Sequence, residues 1–359
     1  MGITKILSKY LENQQLVALY KNNDMESGYF GIITKIGDGE ILIKRIDDAG
    51  NYDGYQILDL ESIVCCCADS LYLKKVLKLM EQTEQGIPEI EELPGKDISN
   101  EILEYAFQTG AYLEIYIGSY RDSGKIADYS DENIVLYGIG PLGSEDGINY
   151  IRREYVECLI LDSRDMRERE KLNLHPVWPK HYVQKNFTEL LQNIKEDGRL
   201  VEIWTVDDEE SCHVGTIECS NDEEVLIKNI NEEGEYDGYC VRKIEDIVRV
   251  VEHSGYLKKY EQAGEKEKCK IQMHYAGIME SILQSSRQNG RHLRVETAES
   301  YHLGKIENVT DDFVEMTKYE EYDYTCDGKI FIERSCIELV WIDTKELRRQ
   351  ECFCEAELS

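Results

Sequence analysis

Apolar and polar positions along the chain alternate between two periods, and the alternation occurs four times. The stretches "ITKILSKYLENQQ" from Ile3, "ISNEILEYAFQTG" from Ile98, "FTELLQNIKEDG" from Phe187 and "YAGIMESILQSSRQNG" from Tyr275 carry aliphatic residues at helical spacing. Each predicts an amphipathic helix, mostly closed by glycine or polar residues. The period then drops to two in "LVALY", "YLEIYIG", "LVEIWTV" and "HLRVETA", which predicts a first strand with one buried face. A second strand ("YFGIITKI", "SGKIADY", "HVGTIEC", "HLGKIEN") and a third ("DGEILIKRI", "DENIVLYGI", "DEEVLIKNI", "DDFVEMTKY") follow, separated by an acidic turn. A fourth strand and a short fifth, as in "SIVCCC" and "DIVRVV", complete each unit.

The four copies share a ruler of glycines. Gly31, Gly124, Gly215 and Gly304 sit in the second strand, each two residues before an isoleucine. A glycine preceded by aspartate follows 23 or 24 residues later, at Gly54, Gly147, Gly238 and Gly328. Nine residues beyond stand Ile63, Val156, Ile247 and Ile337. Copies one and three are the closest pair: Gly31 to Val64 and Gly215 to Val248 align without a gap and share sixteen of thirty-four positions. A period of about ninety residues divides the chain at 1–88, 89–172, 173–263 and 264–359, with linkers expected around 86–94 and 176–179. Trp178, between prolines, is expected to pack on a module. A bare Cα in strand two suits a sharply bent strand, and the Asp-Gly pair is expected in the hairpin leading to strand four.

A helix followed by five short, bent strands describes a small barrel. The expected fold is therefore mainly β with α: four tandem helix-plus-five-strand small barrels of the SH3-like or Sm-like kind. The glycine and isoleucine of strand two, the acidic turn and the nine-residue spacing resemble the two halves of the Sm/Lsm signature, over about sixty residues of each copy. "YDGYCVRKIEDI" is similar to a pattern that recurs in a bacterial family with the same expected fold. The resemblance implies RNA read by an Asn after strand two and an Arg-Gly pair after strand four. The corresponding turns read Leu58-Asp59-Leu60, Arg152-Arg153-Glu154, Arg242-Lys243-Ile244 and Glu333-Arg334-Ser335, without the glycine, and Glu223 and Glu224 put negative charge in the first loop.

The net charge of −31 is spread over all four copies, at about −4, −10, −10 and −7. Such a field repels phosphate backbones, so nucleic acid is an unfavoured partner and a basic protein a favoured one. No apolar run reaches membrane-spanning length, and the N-terminal stretch lacks a signal peptide pattern, so a cytoplasmic protein with no membrane association is expected. The twelve cysteines do not recur with the copies, as a disulfide framework would; they are expected to be reduced thiols in small apolar slots.

Candidate chemistry is sparse. Gly138 to Gly143 spells a dinucleotide fingerprint, but it runs through Pro141 into a strand rather than a helix. Glu233, Glu235 and Asp237 imitate a calcium loop, yet Ile244 stands where the bidentate carboxylate belongs. His213 and His302 share one repeat position without a second ligand in register. No nucleophile elbow, phosphate loop or zinc motif occurs. No catalytic residue, metal or cofactor is expected. Tyr52, Asp53, Tyr55, Tyr236, Asp237 and Tyr239 bracket the Asp-Gly turns of the two best copies, and as amphipathic aromatics beside acids they are the candidate partner face. The expectation is a non-enzymatic acidic interaction or scaffold protein binding a protein partner through barrel loops and strand edges, free edges also pairing copies into a homo-oligomer. Sm-like RNA binding and an acidic nucleic-acid mimic are the alternatives.

Overall fold

The computed structural model describes residues 2–22, 24–82, 90, 93, 95–172, 178, 181, 186–206, 208–260 and 277–357. The expected boundaries after residues 88 and 263 and most of both expected linkers lie outside those residues. The chain divides into two compact units, Met1–His181 and Tyr182–Ser359.

In the first unit the elements are α1 (Ile3–Glu12), β1 (Leu16–Lys21), β2 (Asp24–Ile36), β3 (Glu40–Ile46), β4 (Tyr52–Asp59), β5 (Ile63–Ala68) and α2 (Leu71–Met80). There follow α3 (Ile98–Thr109), β6 (Tyr112–Ile117), β7 (Tyr120–Tyr129), β8 (Asn133–Ile139), β9 (Glu145–Arg152), β10 (Cys158–Leu161) and α4 (Arg164–Leu172). The second unit repeats the order: α5 (Phe187–Asp197), β11 (Leu200–Thr205), β12 (Asp208–Ser220), β13 (Glu224–Ile230), β14 (Tyr236–Lys243) and β15 (Ile247–Glu252). It continues with α6 (Ile278–Asn289), β16 (His292–Thr297), β17 (Ser300–Val309), β18 (Phe313–Tyr319), β19 (Cys326–Glu333), β20 (Leu339–Ile342) and α7 (Lys345–Glu357).

The fold is mainly β with seven helices among the described residues, and the strand pairings within each unit are antiparallel. Strand one of each copy pairs with both strand two and strand five, as β1 does with β2 and β5. Among the described residues strands four and five of one copy do not pair, so the sheet is not closed. Instead β4 pairs with β10 and β14 with β20, which joins copy one to copy two and copy three to copy four.

The glycine ruler has a common cause. Gly31, Gly124, Gly215 and Gly304 lie opposite Arg45, Gly138, Asn229 and Lys318 on strand three. A Cβ at any of them would strike the backbone carbonyl of Lys44, Tyr137, Lys228 or Thr317. Two residues later the register slips in all four copies, between Ile33 and Lys35, Ile126 and Asp128, Ile217 and Cys219, and Ile306 and Asn308. A bulge beside a bare Cα lets the strand bend sharply over the core.

The Asp-Gly pairs lie inside strand four, not in the hairpin loop before it. Between Tyr52 and Tyr55 the chain spends one residue more than its partner does between Ile46 and Lys44, and β14, β9 and β19 do the same. Gly54, Gly147, Gly238 and Gly328 hold φ of +90°, +81°, +80° and +91° at this bulge, where a side chain would be strained.

The four amphipathic stretches form α1, α3, α5 and α6, with Tyr275 outside the described residues. α2, α4 and α7 were not foreseen, and their signal is in the chain. Six residues after Ile63, Val156, Ile247 and Ile337 stand Asp69, Asp162, His253 and Asp343, all with positive φ, each followed by Ser70, Ser163, Ser254 or Thr344. Ser70 Oγ accepts from Leu73 N, Ser163 Oγ from Met166 N, Ser254 Oγ from Leu257 N and Thr344 Oγ1 from Leu347 N. A left-handed residue followed by a hydroxyl cap starts a helix. In copy three only a short turn, Leu257–Lys259, results.

Candidate functional site

The two "YDGY" segments form the junctions between copies. Tyr52 and Tyr55 are 3% and 5% exposed, Tyr236 and Tyr239 8% and 2%. Each pair packs edge to face with ring centroids 5.6 Å apart. Tyr236 and Tyr239 belong to one core with Ile278, Ile282, Leu293, Val340 and Ile342 of the following copy. Asp53 Oδ1 accepts from Arg164 N at 3.0 Å and Asp237 Oδ1 from Lys345 N at 2.6 Å, so both aspartates serve the first turn of the next copy's last helix, where carboxylates are favoured. Arg167 Nη2 donates to Tyr52 O at 2.9 Å, and its guanidinium lies 4.7 Å from the Tyr52 ring centre. Tyr236 donates its hydroxyl to Asp343, which is also held by Arg291 at 2.7 Å. The six residues expected to face a partner thus turn inward: their rings and carboxylates are used by the neighbouring copy.

The remaining sequence candidates are accounted for locally. Gly138 to Gly143 forms a hairpin loop closed by Gly140 N to Ser144 O. Glu235 pairs with Lys345 rather than enclosing a cation site. His213 accepts from Arg242 Nε at 2.8 Å and lies 5.3 Å from the Trp341 ring. Burial, followed by the nearby charge of Lys318, lowers the pKa of His302. Trp178 stacks on Tyr137 at 5.2 Å, within the first unit. The eleven cysteines among the described residues are free thiols. Cys158 and Cys240 are buried, and burial pushes them up to about 11 and about 12, but Cys326, Cys336 and Cys352 are exposed and fill no apolar slot. Among the described residues no three His, Cys, Asp or Glu side chains are grouped to hold a metal.

A site that no motif marked lies at the first junction. A cavity of about 620 Å³ opens there, with Gly28, Tyr29, Phe30, Tyr116 and Ile160 among its walls and Asp48 and Glu157 exposed at its rim. Lys21 lines it and is only 8% exposed. Among the side chains described, no carboxylate is within ion-pair distance of its ammonium, and the Tyr29 ring centre lies 5.5 Å away. Arg45, also on the wall, is neutralised by Asp53 at 3.0 Å. Gln56 Nε2, buried, donates to Cys158 Sγ, a weak acceptor. Burying an ammonium costs several kcal/mol, and a cation–π contact returns roughly 0.5–2 kcal/mol of it, so Lys21 is held where an anion would be favoured.

Comparison with known proteins leaves this geometry to stand alone. No family model matches the chain, and no curated protein matches it. Among solved structures, apo MrkH of K. pneumonia is 8% identical, covering 50% of this chain and 96% of its own, with a TM-score of 0.10. The four MBT repeats of Drosophila melanogaster Sfmbt, solved with a peptide, are 9% identical over 93% of this chain and 90% of theirs, with a TM-score of 0.13. Likeness at that level carries no argument about fold or function. No described helix is long and apolar enough to cross a membrane.

Proposed function

We propose that the chain is a non-enzymatic binding protein of the cytoplasm, built of four Sm-like small barrels coupled in two pairs, that meets a basic protein partner through acidic turns. The recurring helix, bulged strands and ruler glycines support the barrel reading. One observation carries the function. The turn between strands two and three exposes Asp131 and Glu132 in copy two, Asp222 and Glu223 in copy three, and Asp311 and Asp312 in copy four. None of these six carboxylates has a side-chain partner among the described residues. The turn is already built by backbone bonds such as Arg153 N to Glu132 O and Ile244 N to Glu223 O, so the charges are spare. Exposed like charges cost stability and raise the association rate of an oppositely charged partner.

The test is affinity capture of the full chain from its native cell extract at low and at physiological salt, beside a variant with all six changed to Asn or Gln. A basic protein that co-elutes with wild type, and is lost with the variant and with salt, is the expected result. A partner retained equally by the variant refutes the reading, and recovery of single-stranded RNA instead returns the Sm-type RNA reading.

A further inference from the structure

The two junctions have one backbone plan and carry different side chains on it. Ile160 on β10 faces Gln56 in the pairing, and Trp341 on β20 faces Cys240 at the same step. In the second unit the Trp341 indole stands at this step: its Nε1 donates to Glu296 at 2.7 Å and its ring leans on His213. Two residues bordering the first cavity are smaller than their copy-three counterparts, while Phe30 and Arg45 are larger than theirs, Val214 and Asn229. Gly28 and Ala49 line it, where the aligned positions in copy three are Cys212 and Glu233. The charge changes with the space. Lys21, at the cavity, aligns with Thr205, which is buried and neutral. A general structural need for a lysine at this step would apply to both units, and of the two aligned positions only the first unit's is a lysine.

We propose that the first-unit cavity binds a small aromatic monocarboxylate, its carboxylate on Lys21 and Gln56 and its ring among Tyr29, Phe30 and Tyr116. The volume lies in the range of small-molecule sites and would hold about twenty waters at about 30 Å³ each. The charge of the ligand follows from the inventory. Arg45 is paired with Asp53 and Asp47 with Arg164, so Lys21 is the cation on the wall with no carboxylate within ion-pair distance among the described side chains, and the exposed Asp48 and Glu157 of the lining disfavour a second negative charge. An oxygen anion is a better acceptor for Gln56 Nε2 than the Cys158 thiol it now meets. Three aromatic rings favour a flat ring over an aliphatic chain.

Isothermal titration of the full chain with indole-3-acetate, 4-hydroxybenzoate, indole-3-acetamide and phenyl phosphate tests this. Indole-3-acetate is expected to bind at least tenfold tighter than its amide and tighter than phenyl phosphate, and Lys21→Met to remove the preference for acid over amide. Ala49→Trp, at an exposed position of the rim, is expected to weaken every ligand while leaving the thermal midpoint in place; Ile160→Trp puts the bulk of Trp341's indole at the cavity wall and should abolish binding. Absence of binding by either carboxylate at millimolar concentration, equal affinity for acid and amide, tighter binding of phenyl phosphate, or a Lys21→Met variant that keeps the preference would each overturn the proposal. The site is independent of the acidic turns, so the sixfold amide variant should bind these ligands as wild type does.

Discussion

Gly238 and Gly328 form a matched pair that isolates what the junction contributes. Both occupy the same bulge of strand four in the same unit, with φ of +80° and +91°. Replacing either with alanine forces an L side chain into a left-handed conformation, at a cost of about 1–2 kcal/mol. At Gly328 the new methyl group meets nothing within 4 Å, so this is the whole effect. At Gly238 it meets the backbone of Ile342, Asp343 and Thr344 of the next copy, which cannot swing aside as a side chain could. Overpacking against fixed backbone adds roughly 1–3 kcal/mol. Gly238→Ala should therefore cost about 1–3 kcal/mol more than Gly328→Ala, read from urea midpoints at unchanged slope for the unfolding of the second unit. Equal losses within about 0.5 kcal/mol would mean that the junction yields at that point, and the argument that strand four is shaped by the following copy would fail.

Other outcomes follow from the same geometry. Asp53→Ala removes the acceptor of Arg164 N and the partner of Arg45, and should lower first-unit stability by about 1–2 kcal/mol; an unchanged midpoint would show that the cap is replaced by water. Burial, against a weaker opposing bond to Gln350, lowers the pKa of His292 in the fold, so its contribution is present above the unfolded pKa near 6.5 and is lost as pH falls through the folded value. The stability gap between wild type and His292→Gln should accordingly shrink on acidification below about pH 6.5, and a gap that widens would reverse the sign of the argument. With Cys158, Cys219 and Cys240 pushed up to about 11, 11 and 12 by burial, a native thiol titration at neutral pH should modify Cys326, Cys336 and Cys352 first; fast labelling of Cys240 would contradict its burial.

Much of the architecture was written in spacing. The two glycines of each copy are forced by local backbone facts, a carbonyl against the Cα and a positive φ, and such facts recur wherever the strand bends the same way, so one chain shows them four times over. The opening helices were legible for a similar reason, since amphipathic period and end signals are local. The positive-φ residue and hydroxyl cap after strand five were equally present, six residues past each recurring aliphatic, yet Asp, His, Ser and Thr are common enough that the pattern stands out only once the helix it begins is seen.

What the sequence could not decide was which way a side chain faces when it stands in a strand that two copies share. Tyr52, Tyr55, Tyr236 and Tyr239 read as an exposed aromatic face because an amphipathic ring suits a partner surface and a buried seam equally well; only the pairing of β4 with β10 and of β14 with β20 turned them inward. The cavity at Lys21 was invisible for the same reason. Its walls come from residues more than a hundred positions apart, which meet only after the copies have paired. Local backbone geometry is encoded in neighbouring residues, whereas burial and enclosed space belong to contacts between distant ones, and those the chain specifies only by folding.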